Sequence, residues 1–161
     1  MADDEGASPS TSPIPHNLLF RAPADPVIEE LLFASCRQHN VDLLREALAH
    51  LTSSEAIGEF INTSRDPLGN TALHVASLRG SLDCLDLLLD QEGVEVDPVN
   101  RMEGDTPLHS AARLSTEDGA QEEAKEVIEM LLEAGADPRY QSSLKLQRNQ
   151  AHMVEYGIRG V

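Results

Sequence analysis

Thr71, Leu73, His74 and Ala76 return thirty-five residues later as Thr106, Leu108, His109 and Ala111, and this echo constrains the fold more than any other feature of the sequence. The echo extends beyond the two boxes. Asp42, Leu44 and Leu48 fall on Asp83, Leu85 and Leu89 at a spacing of 41, and Leu85, Leu88 and Leu89 fall on Ile128, Leu131 and Leu132 at a spacing of 43. In the same register the small pairs Ser35-Cys36, Ala76-Ser77 and Ala111-Ala112 coincide. Self-similarity at such a period marks a stack of supersecondary units. No unit can bury its apolar face alone, so neighbours share one continuous core.

Each unit reads as a helical hairpin. Ile28, Leu31, Leu32 and Ser35 recur at i, i+3, i+4 and i+7, which places them on one helical face. After the turn-like Gln38-His39-Asn40, Leu43, Leu44, Ala47, Leu48 and Leu51 mark a second helix. With no tryptophan, two tyrosines and three phenylalanines, the core must be aliphatic, which suits closely packed short helices better than a sandwich of strands. The fold class expected is therefore all-α, a solenoid of three helix pairs. The unequal spacings place eight extra residues in the last unit, within the polar stretch 115–126, with an N-terminal extension of its second helix.

The stretches "DPLGNTALHVASLRGSLDCLDLLLD" and "GDTPLHSAARL…VIEMLLEAGADP" resemble ankyrin repeats, which carry a T-P-L-H-x-A signature. The resemblance spans about Val27 to Pro138. It divides the chain into a degenerate capping repeat at 27–65, a repeat at 66–100 and a repeat with the acidic insertion at 101–139. Ala72 stands where the signature has proline, and "DQEGVEVD" is three residues longer than "EAGAD". The resemblance implies β-hairpin-like fingers between the helix pairs. It also implies partner binding at the finger tips and on the inner face of the first helices. Residues 1–26, rich in Pro, Ser, Ala and Asp, read as a disordered tail. Residues 140–161 lack a further box and read either as an irregular cap or as an incomplete repeat.

His74 and His109 raise the question of a metal site or a catalytic base. Each follows a threonine by three residues at the start of a helix. Thr71 and Thr106 are thus expected to cap, and the imidazoles to bond to the threonine or to finger backbone. Equivalent residues of stacked repeats lie about 8–10 Å apart, too far to share a zinc ion with bonds near ~2.1 Å. Thr71, His74, Thr106 and His109 are accordingly structural, and no metal or other cofactor is expected. Ser142-Ser-Leu-Lys145 matches S-x-x-K without its companion motifs, and Asp83, Asp86 and Asp90 share a solvated helical face. There is no Gly-rich phosphate loop and no Cys-x-x-Cys. The reading is a non-enzyme. Cys36 and Cys84 read as reduced, half-buried thiols of a cytosolic or nuclear protein.

Recognition remains. The finger tips are 65–69 and 100–104, and the inner-helix positions are Arg37 and Gln38, Leu78 and Arg79, and Arg113 and Leu114. The candidate contact residues are Leu68, Leu78, Arg79, Arg101, Met102, Arg113 and Leu114, with Leu68 and Met102 foremost because apolar anchors carry much of the energy of an interface. The formal net charge of −16 argues against binding nucleic acid through phosphates. From Asp83 to Glu133 there are fifteen Asp or Glu and three Lys or Arg, while the inner face carries Arg37, Arg79 and Arg113. Two partner chemistries follow: an arginine-bearing groove for an acidic segment, or an acidic shell for a basic protein. Small one-domain members of the resembled family include escorts of basic ribosomal proteins. The expectation is a monomeric adaptor or small chaperone that does not enter membranes. The alternative is a regulatory subunit docking on an enzyme or proteolytic complex.

Overall fold

The computed structural model describes residues 25–139; the expected tail at 1–24 and the cap or incomplete repeat at 140–161 lie outside the described residues. Among the described residues there are seven helices and no strand: α1 Pro26–Gln38, α2 Val41–Ala49, α3 Ser54–Thr63, α4 Ala72–Arg79, α5 Leu82–Leu89, α6 Pro107–Leu114 and α7 Gln121–Glu133. The pairs α1/α2, α4/α5 and α6/α7 are the three expected hairpins. They stack in two layers, α1 on α4 on α6 and α2 on α5 on α7.

Local chemistry sets the ends of these helices. The Asp25 carboxylate accepts from the Val27 N–H at 3.0 Å, and Pro26, expected to end the tail, instead occupies the first helical turn, where a missing N–H is no loss. His39 closes α1 in the left-handed region (φ 56°), and the Asn40 N–H returns to the Ser35 carbonyl at 2.9 Å. The Asn40 side chain then caps α2 through the Leu43 N–H at 3.0 Å, so two residues turn the chain between two helices. Leu32, Leu44, Leu73, Leu85, Leu88, Val127 and Leu131 are buried to within 1% of complete exclusion and form one core through all three pairs. That core is mainly aliphatic, as the composition requires, with Phe33 and Phe60 as its buried aromatics.

Helix α3 was not legible in the periodicity. It fills the link between the first pair and the second, burying Phe60 and Ile61. Its outer side is fastened to the loop after α5: Asn62 Nδ2 donates to the Gly93 carbonyl, and the Glu95 N–H donates to Asn62 Oδ1, both at 2.8 Å. Gly58 lies against the Glu92 carbonyl so closely that a Cβ there would overlap it.

The fingers are turns. In the first, the Asp66 N–H bonds to the Asn70 carbonyl at 2.9 Å, while the Asp66 carboxylate accepts from the N–H groups of Leu68 and Asn70. In the second, the Asn100 N–H bonds to the Asp105 carbonyl at 2.9 Å, and Asn100 Oδ1 accepts from the N–H groups of Glu103 and Asp105. The side chains of Asp66 and Asn100 thus supply the bonds that a longer hairpin would take from its strands. The two fingers join through the Arg101 N–H to the Gly69 carbonyl at 3.2 Å, and through Asn100 Nδ2 to Asn70 Oδ1 at 3.0 Å. Gly69 (φ 84°) has no room for a Cβ beneath Arg101.

The insertion divides in two. Residues 115–120 form a loop, and α7 begins four residues before the position equivalent to Leu82, with Glu122 and Glu123 in its first turn. Carboxylates there complement the positive end of the helix.

Candidate functional site

The two histidines belong to the scaffold beneath the site. His74 Nδ1 accepts from the Thr71 N–H at 3.2 Å and lies 2.8 Å from the Thr71 hydroxyl, and its Nε2 lies 2.6 Å from the Asp105 carbonyl oxygen. An acceptor on one side and a carbonyl on the other assign the proton to Nε2, so the ring is neutral. Burial pushes its pKa down to about 4, against a partial lift from the Asp105 carbonyl. His109 repeats the arrangement, accepting from the Thr106 N–H at 3.1 Å with the Thr106 hydroxyl 2.9 Å away. Both threonines form a capping box with their histidine. The His74 N–H reaches the Thr71 hydroxyl at 3.4 Å, and the His109 N–H also bonds to the Thr106 carbonyl at 3.0 Å.

Above this scaffold lies a groove of about 440 Å³. Leu68 and Met102 stand at its finger-tip edge, Leu78 and Arg79 come from α4, Arg37 from α1 and Arg113 from α6. Leu68 is 60% exposed, Met102 66% and Leu78 38%, so three apolar side chains face water around one depression. Six residues singled out on the inner face and finger tips therefore converge, although they span 77 positions of sequence.

Two candidate contact residues do not. Leu114 is buried at 6% exposure, because its side chain turns into the core beside Gly80 rather than into the groove. Arg101 is exposed but lies outside the groove, where its side chain covers Gly69 and ties one finger to the other. The three inner arginines also differ in kind. Arg113 Nη1 lies 3.0 Å from Glu103 and its Nη2 pairs with the Asp105 carboxylate, while Arg37 pairs with Glu30 at 2.9 Å. Arg79 is exposed and forms no ion pair among the described residues.

Asp105 is the residue that sequence reasoning missed. It was counted among the acids from Asp83 to Glu133 without being singled out, and it is fully buried, with its carbonyl on His74 and its carboxylate on Arg113. The available signal was its place just before Thr106, matched by Asn70 before Thr71. Most of the other acids from Asp83 to Glu133 are exposed, whereas Glu103 lines the groove and Asp97 is partly buried. Asp83, Asp86 and Asp90 are exposed on α5, and a second cleft of about 480 Å³ beside α3 is lined by Glu55, Glu59, Glu92 and Glu95. None of these seven forms an ion pair with Lys or Arg among the described residues. Among the described residues no group of three His, Cys, Asp or Glu is placed to hold a metal ion, and no helix is long and apolar enough to cross a membrane.

A family model described as ankyrin repeats in three copies matches residues 17–142. The ankyrin repeat-containing protein YGL242C of Saccharomyces cerevisiae is 44% identical over 114 residues, which cover 70% of this chain and 62% of that protein.

Proposed function

The chain belongs to the ankyrin-repeat family, a non-enzymatic fold for protein–protein interaction, and from that premise we propose that it is a non-catalytic adaptor or small chaperone whose groove grips a segment of a partner protein. The observation that carries this reading is the convergence of Leu68, Leu78 and Met102 around Arg79. Exposed apolar side chains gathered in a depression mark an interaction site more strongly than the same residues scattered singly. Arg79 offers five N–H donors, and no carboxylate among the described residues pairs with it. The complementary segment presents one or two apolar side chains next to a carboxylate. Docking as a regulatory subunit on an enzyme or proteolytic complex would use the same surface.

A second reading rests on the outward acids. The carboxylates of α5 and of the cleft beside α3, which form no ion pair among the described residues, favour a partner that is basic overall, within a chain of net charge −16. The two readings differ in their response to salt, because attraction between exposed charges is screened and apolar contact is not. Capture of partners from lysate at low and high salt separates them. A partner held in high salt by the wild-type chain and released by Arg79→Glu supports the groove. A basic partner released by salt alone, and indifferent to Arg79→Glu, supports the shell. We place this activity in the cytosol or nucleus and assign it to the monomer, which fractionation and light scattering test.

A further inference from the structure

Cys36 of α1 and Cys84 of α5 belong to different repeats, yet both sit in one buried core cluster and their side chains hydrogen-bond to each other. Both residues are completely buried, rather than half-buried as their sequence positions suggest. Cys84 Sγ lies 3.5 Å from the carbonyl oxygen of Ser35, the residue before Cys36, and the hydroxyl of Ser81 donates to the carbonyl of Cys36 itself. The N-terminal turn of α5 is therefore seated directly on the last turn of α1, with the two sulfurs inside the contact. The thiols also perturb each other: hydrogen bonding with Cys84, then burial, raises Cys36, while hydrogen bonding with Cys36 lowers Cys84.

We propose that Cys36 and Cys84 are a redox pair, and that a peroxide joins them in a disulfide that staples the first repeat to the second. The chemistry balances with hydrogen peroxide as the oxidant. The Cys84 thiolate attacks one peroxide oxygen; an S–O bond forms, the O–O bond breaks and the departing hydroxide takes a proton to leave as water. The Cys36 sulfur then attacks the Cys84 sulfenic acid, forming the S–S bond as the S–O bond breaks. The departing hydroxide leaves as water with the Cys36 proton. Two thiols lose two electrons and two protons, and the peroxide becomes two waters.

The fold supplies both the access and the consequence. Local opening of a repeat takes less free energy than unfolding of the whole chain, and it admits a small oxidant to buried thiols. Closure of the bond confines that opening, because a cross-link between residues 36 and 84 restrains the chain between them. Arg37, next to Cys36 and on the groove wall, is then held against the second repeat. Oxidation in this way fixes the wall that α1 lends to the groove.

The test treats the full chain with hydrogen peroxide, blocks remaining thiols by alkylation and follows mass and thermal midpoint. The proposal predicts that both thiols are lost together, that the intact mass falls by two hydrogens, and that a peptide linking Cys36 to Cys84 appears. The thermal midpoint rises and returns on reduction with a phosphine. Cys36→Ala and Cys84→Ala each abolish the rise. Should either variant fail to fold, the wild-type mass and midpoint decide alone. Thiols that survive peroxide in the folded chain but not in the denatured chain overturn the proposal. So does oxygen added to one cysteine without a link, or a link that leaves the midpoint unchanged or lower.

Discussion

The imidazole Nε2 of His74 lies 2.6 Å from the carbonyl oxygen of Asp105, thirty-one residues further along the chain, and this contact fastens the second repeat to the finger of the third. The same Asp105 carbonyl accepts from the Asn100 N–H, and the Asp105 carboxylate holds Arg113. One buried residue thus connects a helix cap, a finger turn and the groove wall.

Removing the imidazole leaves the Thr71 N–H and the Asp105 carbonyl short of a partner in a site with little water. His74→Ala should lower the unfolding free energy by about 1–3 kcal/mol, the scale of an unsatisfied buried group. Urea denaturation measures the loss. A chelator should leave the wild-type midpoint unchanged, since both ring nitrogens are engaged by the protein.

Acidification should act through the same ring. Its pKa is about 4 in the folded chain against 6.5 as an ordinary value, so between those limits the unfolded state binds the extra proton. Stability is fully present above pH 6.5, declines as pH falls toward 4 and loses no more to this group below that. The full loss is about 3 kcal/mol, from the size of the shift. The difference in urea-unfolding free energy between wild type and His74→Gln isolates this group from the carboxylates, which titrate in both. That difference should shrink as pH falls from 6.5 to 4.

Arg113 and Arg79 should separate cleanly. Arg113→Met leaves the Asp105 carboxylate buried without its counter-charge, at a cost of about 2 kcal/mol once the half-exposed guanidinium is allowed for. Arg79→Ala, on an exposed side chain with no ion pair among the described residues, should change stability by no more than about 0.5 kcal/mol. Thermal midpoints of the two variants check the contrast.

Helix α3 offers a test of its own. Gly58→Ala sets a methyl group against the Glu92 carbonyl and should destabilise the fold by about 1–3 kcal/mol, although alanine favours the helix itself. Amide exchange should rise in α3 and in residues 92–95, which share the Asn62 bonds.

These residues also show where sequence reasoning succeeds. The three helix pairs were legible because their leucines repeat, and the groove-lining positions were named because the resemblance to ankyrin repeats implies which helix face is the inner one. Helix α3 was not, since it has no counterpart in the other units and its apolar residues, Ile57, Phe60 and Ile61, are too few to declare a period. Leu114 misled because its position is equivalent to an inward-facing site, while its side chain turns toward Gly80. The roles of the three arginines depended on Glu30, Glu103 and Asp105, whose reach across the fold no local pattern expresses.

The central claim is that Leu68 and Met102 anchor a partner protein in the groove. The direct measurement is retention of lysate partners in high salt by the wild-type chain and by the double variant Leu68→Ala, Met102→Ala, with thermal midpoints shown to be equal. The account predicts at least one partner that the wild type retains and the double variant loses. Equal retention of every partner by the two chains would contradict it.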